Sequence, residues 1–284
     1  MTNSANEATA AMAGLRESYL QLLKSALTMT LWDAGDGSQL QPFGEGLGAK
    51  TKNALKRLIK GESGTEVAPD PRRRREEGRD WPMLAHTMIG LKRMNNLQEC
   101  VEDVIRKDVP GDLIETGVWR GGACIFLRGI LKAYGVRDRR VWVADSFEGL
   151  PVPNPAKYPA DTGDIHHTIR QLAVSIEQVQ SHFAKYGLLD EQVKFLKGWF
   201  RDTLPSAPID RLAVARLDGD MYESTMDGLT HLYPKLSRGG YLIVDDYGAV
   251  PACKQAVEDY RRTHNITEPI VEIDWGGVHW QRVK

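Results

Sequence analysis

The chain has few cysteines, no surplus of charge and no long apolar run, and each shortage narrows what it can be. Cys100, Cys124 and Cys253 are odd in number, far apart and without a CxxC pair. That argues against a disulfide framework or a thiolate zinc site and favours reduced, buried thiols. Among 284 residues, 37 Lys and Arg face 38 Asp and Glu, a formal net charge of -1. A nucleic-acid binder usually shows a basic excess, so no nucleic-acid partner is expected. No stretch is apolar enough to span a bilayer, and the start, MTNSANEATAAMAGLRES, lacks the basic-then-apolar order of a signal peptide. The expectation is a cytoplasmic protein with no membrane partner.

Two regions of different character follow. In residues 1–80, Leu15, Tyr19, Leu22, Leu23, Ala26 and Met29 recur mostly at three- and four-residue steps. This spacing predicts an amphipathic helix that needs another surface to cover it. A Gly-rich loop over 33–48, a basic helical stretch over 52–60 and a polar segment up to Asp80 come next. Pro69 and Pro71 bracket Asp70, so no helix should run through both. Arg72, Arg73, Arg74 and Arg75 precede Glu76 and Glu77; they read as a solvated, self-neutralising linker or mobile lid, with an anion clamp as the other reading.

From Asp112 onward, short apolar runs alternate with helical stretches. The runs are Asp112–Thr116, Val141–Asp145, Val193–Lys197, Leu212–Asp218 and Tyr241–Asp246; the helical stretches are 122–134, 168–186, 225–233 and 252–264. Such alternation predicts an α/β fold with a parallel sheet covered on both faces. The runs 270–273 and 278–283, split by Trp275-Gly276-Gly277, predict a closing antiparallel hairpin.

In an open parallel sheet, ligands bind beyond the carboxyl ends of the strands, where strand order reverses. Those ends carry Glu115, Asp145, Asp218, Asp220, Asp245 and Asp246. Some of these can be helix caps, but six at one edge repel one another and call for a cationic ligand, a metal, or both. The turn Gly117-Val118-Trp119-Arg120-Gly121-Gly122 permits close backbone approach without the GxGxxG spacing of dinucleotide binders. Glu115 would repel a pyrophosphate and suits a donor bearing an ammonium and a sulfonium, S-adenosylmethionine. Asp145 serves ribose hydroxyls in either case.

Asp218, Asp245 and Asp246 should end side by side, about 4.8 Å apart across neighbouring strands, and suit a hard cation such as Mg²⁺. Successive strand residues point to opposite faces, so Asp245 and Asp246 share an ion only where the strand has broken; otherwise one of them caps a turn. Asp220 is a general-base candidate or, with Glu223, a capping box, against which Ser224 and Asp227 compete. His166 and His167 border the substrate or simply sit on a loop, Trp199 stacks on adenine or fills the core, and His279 reads as structural. Two rival functions share the fold: a nicotinamide-dependent oxidoreductase and a binding module without activity.

The segments 79–90, 114–122, Val143-Ala144-Asp145-Ser146-Phe147, Leu217-Asp218-Gly219-Asp220-Met221-Tyr222 and Val244-Asp245-Asp246-Tyr247 resemble the macrocin, mycinamicin and novobiocin O-methyltransferases, which methylate deoxysugar hydroxyls of antibiotics. The resemblance runs from about Tyr19 to the C-terminus. It implies a class I methyltransferase, Rossmann-like sheet with an N-terminal helical extension over 1–80, and an S-adenosylmethionine-binding catalytic domain over 81–284. It implies S-adenosylmethionine and Mg²⁺ as cofactors and a small-molecule glycoside as substrate, with a phenolic or catechol acceptor as the alternative. It implies donor contacts at Met88, Glu115, Thr116, Gly117, Arg120, Gly121, Asp145, Ser146, Gly198, Trp199 and Asp218. The implied metal ligands are Asp218, Asp245 and Asp246, and the implied base is Asp220. Segment 80–88 would close over the donor, and N-terminal helices would join subunits of a homodimer or larger assembly. The Arg72–Arg75 run matches no family feature, and His279 stands where a tyrosine is expected.

Overall fold

A computed structural model describes residues 2–32, 70–82 and 84–284. The Gly-rich loop and basic stretch expected over 33–60, and Met83, lie outside the described residues. No helix among the described residues is long and apolar enough to cross a membrane.

Seven strands form one sheet: β1 (Asp112–Thr116), β2 (Val141–Asp145), β3 (Val193–Lys197), β4 (Leu212–Leu217), β5 (Leu236–Val244), β6 (Val271–Glu272) and β7 (Val278–Gln281). Their order is β3-β2-β1-β4-β5-β7-β6. The first five are parallel, and β7 runs antiparallel to both β5 and β6. This is the mostly parallel sheet that the strand–helix alternation predicts, with the antiparallel C-terminal hairpin expected of the tail and the Rossmann-like form that the resemblance implies. The chain winds outward from β1 to β3, then crosses back to β4, so order reverses between β1 and β4.

Period-2 alternation assigns each strand's side chains to two cores. Leu113, Val141, Val143 and Ile243 enter one core, while Ile114, Trp142, Ala144, Leu242 and Val244 enter the other. The first is covered by α1 (Thr2–Leu27), α3 (Gly90–Arg106) and α4 (Gly122–Ala133); the second by α7 (Tyr222–Leu232) and α8 (Pro251–Thr263). Leu20, Leu23 and Leu27 of α1 are buried against α4, each worth about 1.5–3 kcal/mol of transfer free energy. Its end is held by His86 and Thr87, whose N–H groups donate to the Leu27 carbonyl at 2.9 and 3.2 Å.

Several boundaries differ from the pattern reading. The arginine run is a short helix, α2 (Pro71–Glu76), rather than a linker: Asp70 caps it by accepting from the Arg72 N–H, and Pro71 sits at the position where proline's missing N–H costs nothing. Arg72 and Arg73 pair with Glu76 and Glu77, as self-neutralisation requires, but Arg75 is buried and donates to the Met29 carbonyl at 2.8 Å. The helix expected over 168–186 begins at Ile176 because Ser175 and Gln178 form a capping box; only short 3₁₀ turns precede it. This helix, Ile176–Lys185, is α5.

Candidate active site

The cavity opens where strand order reverses. It has a volume of about 380 Å³ and is lined from every strand end on that side: Gly117 and Val118 after β1, Asp145 and Ser146 at β2, Trp199 after β3, Asp218 and Asp220 after β4, and Asp245 and Asp246 after β5. Backbone bonds extend the ladder past the strands and hold these residues in register. Asp218 N–H donates to the Thr116 carbonyl, Asp245 N–H to Leu217 and Gly198 N–H to Asp145, each at 2.9 Å. The strand β5 ends at Val244, so both Asp245 and Asp246 stand beyond its pleat.

The carboxylates divide into two groups. Asp218, Asp220 and Asp246 offer oxygens that all lie within 4.8 Å of one another. Enclosure and mutual repulsion push Asp218 and Asp246 well above the usual carboxylate range. Asp220 is pushed up to about 6, chiefly by burial, with His166 opposing the rise. Its backbone takes a left-handed φ of 55°, and its N–H donates to Asp246 Oδ2 at 3.1 Å.

The second group is already neutralised. Arg216, 1% exposed, donates Nη1 to Glu115 and Asp218 and Nη2 to Asp245. Arg93 takes the other Asp245 oxygen and pairs with Asp274 at 2.9 Å. Glu115 also accepts from the Cys124 thiol at 2.9 Å. Asp245 is thus turned to two guanidinium groups, while Asp220 stands with Asp218 and Asp246. The acidic excess of the cavity comes from that trio, since the charge of Glu115 is answered by Arg216. Of the trio only Asp218 meets an arginine, Arg216 at 2.8 Å, which it shares with Glu115 and Asp245, so this compact set of carboxylate oxygens keeps an acidic excess that fits a hard divalent cation.

On the donor side, Asp145 Oδ2 accepts from the Val118 N–H and Oδ1 from the Phe147 N–H, both at 2.7 Å. The carboxylate therefore shapes the Gly-rich turn and keeps lone pairs for ligand hydroxyls. Met88, Ser146 and Trp199 line the cavity. Thr116, Arg120, Gly121 and Gly198 stand behind the lining: Arg120 donates to the Ala85 carbonyl at 3.0 Å, and Gly121 starts α4 with φ 84°. Gly122 has room for no side chain, since a Cβ would lie 2.4 Å from the His86 carbonyl oxygen; this joins segment 84–88 to the turn.

His166 lines the cavity and pairs with Asp164 at 2.7 Å, whereas His167 is exposed. Burial alone would lower the His166 pKa, but Asp220 and Asp164 outweigh it and raise it. His279 lies in β7, 3.2 Å from Asn96 and outside the cavity lining. The capping alternatives for Asp220 and Ser224 do not form: α7 starts after Met221 without a cap of its own, and Asp161 supplies one from a distant loop. Pattern reading missed Arg93, Asp161, Arg216, Trp275 and the cavity-lining Trp81. Only Arg216 left a signal, as a charged residue in the otherwise apolar run LAVARL.

A family model described as Macrocin-O-methyltransferase (TylF) matches residues 16–282. Demethyldecarbamoylnovobiocin O-methyltransferase of Streptomyces niveus is 61% identical over 211 residues, which are 74% of this chain and 80% of that protein. Mycinamicin III 3''-O-methyltransferase of Micromonospora griseorubida is 59% identical over 211 residues, 73% of this chain and 83% of its own length. The solved structure of the O-methyltransferase NovP is 50% identical, with a TM-score of 0.81, and covers 95% of this chain and 100% of that one.

Proposed function

The chain belongs to the macrocin O-methyltransferase family and is an O-methyltransferase; from that premise we propose that it methylates a sugar hydroxyl of a glycosylated natural product, with S-adenosylmethionine as donor and Mg²⁺ as the assisting ion. The observation that carries the reading is the trio Asp218, Asp220 and Asp246, gathered in a cavity that the Gly-rich turn also lines. The related enzymes above are named for demethyldecarbamoylnovobiocin and mycinamicin III, and another relative, 58% identical, is named for a rhamnosyl-tetracenomycin, which supports the sugar acceptor.

S-adenosylmethionine supplies the methyl group, and Mg²⁺ the positive charge that acidifies a hydroxyl beside it. Asp218 and Asp246 would hold the ion. Asp245 would join them only by releasing Arg216 or Arg93. Asp220, held near neutrality in its pKa, accepts the proton of the acceptor hydroxyl. Gly117, Val118 and Asp145 would shape the donor's seat and Trp199 would offer a stacking face, so that the fold would contribute mainly by orienting donor and acceptor.

A second copy of the chain is the proposed partner in assembly. Met12, Leu15, Tyr19 and Leu22 are exposed on α1 at three-, four- and three-residue steps, on the face beside the buried Leu20, Leu23 and Leu27. The cytoplasm is the proposed location, for which the three free, buried cysteines are the support. The test of function is a mass-spectrometric screen of glycosides and of catechols with isotope-labelled donor, with and without Mg²⁺. Methylated glycosides formed only with Mg²⁺ are expected. Methylated catechols alone would overturn the sugar reading, and full turnover in a chelator would overturn the metal.

A further inference from the structure

The helix α7 carries the residues that follow Asp220, yet it has no cap of its own. Met221 sits at the N-cap with φ -79° and ψ 159°, and its side chain offers no acceptor. The first-turn N–H groups of such a helix need a partner when they are enclosed. That partner comes from the segment between β2 and α5. Asp161, 1% exposed, accepts from the Tyr222 N–H at 2.7 Å through Oδ1 and from the Glu223 N–H at 3.1 Å through Oδ2. Tyr158, three residues earlier, meets the Tyr222 ring at 6.0 Å between centroids.

The same segment borders the cavity. Leu150, Pro151, His166 and Leu172 line it, and His166 is oriented by Asp164, which accepts from both its backbone N–H and its Nδ1. Asp220 lies one residue before Met221, in a left-handed backbone conformation that is uncommon outside glycine, although aspartate enters it more readily than most residues. On one side it is tied to Asp246. On the other, the Met221 N–H closes back on the Gly219 carbonyl, but no local side chain takes the next N–H groups of α7.

We infer that Asp161 is a positioning residue: docking of the 151–172 segment supplies the missing cap of α7 and thereby sets the turn that presents Asp220 to the acceptor hydroxyl. Acceptor enclosure and base placement are then one event. The segment that carries His166 over the cavity cannot leave without releasing the two N–H groups behind Asp220. The inference rests on Asp220 being the proton acceptor, but its structural half, the coupling of segment to turn, is measured separately.

The experiment compares the full chain with Asp161→Asn and Asp161→Ala by amide hydrogen exchange, donor calorimetry and steady-state kinetics. Exchange should rise together over 157–168 and 219–225 in Asp161→Ala. The S-adenosylmethionine dissociation constant should stay within about twofold, since Asp161 does not itself line the cavity, while kcat falls at least about tenfold from misplacement of the base. Asp161→Asn, which keeps one acceptor oxygen and serves where the alanine variant fails to fold, should fall between. A loop that loosens while 219–225 stays protected overturns the inference. So does a variant with a lower melting temperature and unchanged kcat, which makes Asp161 a helix cap and nothing more. If Asp220→Asn keeps full turnover but the two segments still loosen together, the base assignment fails and the coupling stands.

Discussion

Gly117 lies so close to Asp218 that a Cβ on the glycine would stand 1.6 Å from the aspartate's carbonyl oxygen. The turn after β1 and the end of β4 are pressed together at the point where strand order reverses, and Gly117 adopts φ 78° to allow it. An alanine there meets backbone, which cannot step aside, and also takes on left-handed strain. Gly117→Ala should cost at least about 2 kcal/mol, above the strain of about 1–2 kcal/mol alone, and should abolish donor binding. Urea melts and calorimetry check both; a stable variant that binds donor normally would contradict the close approach.

Asp220→Asn removes the proposed proton acceptor and leaves the Gly-rich turn and Asp145 unchanged. Turnover should fall about 10²–10⁴-fold with donor affinity kept. Asp218→Asn should remove both activity and its dependence on Mg²⁺. An Asp218 variant still stimulated by Mg²⁺ would take that residue out of the ion's coordination.

Arg216 is the internal cation for Glu115, Asp218 and Asp245. Replacing it with methionine leaves buried carboxylates uncompensated and should cost about 3–5 kcal/mol in unfolding free energy. Arg216→Lys should recover only part, because an ammonium cannot fork between two carboxylates. Denaturant midpoints measure the effect, and a methionine variant as stable as the parent would mean that these charges find other partners.

His86 shares a hydrogen bond with Tyr186 Oη at 2.9 Å and meets the His182 ring at 4.4 Å. Burial first, then the charges of His182 and Lys185, push its pKa down from 6.5 to about 4. The unfolded chain therefore binds a proton here before the folded chain does, so stability is intact above pH 6.5 and falls as pH drops toward 4. Because the ring stays partly open to solvent, the loss is set at about 1–2 kcal/mol rather than the full shift. Melting temperatures of wild type and His86→Gln at pH 7.5 and pH 5 should show the wild type's advantage shrinking in acid; a parallel decline in both would remove His86 as the cause.

Local pattern alone determined the five parallel strands and the acidic rim, although β4 stops at Leu217 and β5 runs Leu236–Val244 rather than over 241–246. Period-2 and period-3.6 spacing are properties of the chain's own geometry, so β1 to β5 and the turn at Gly117 could be read from adjacent residues. Specific motifs such as Leu217-Asp218-Gly219-Asp220 also carried the family. Which carboxylates are answered by arginines, and which are gathered with too little positive charge beside them, was decided only in three dimensions. Arg216 meets Glu115 across 101 positions, Arg93 meets Asp245 across 152, and Asp161 caps Tyr222 across 61. Pairings of that range depend on which strands lie side by side and on how each side chain leaves its backbone. Neither is written in spacing, and both decide where the negative charge is left for a ligand.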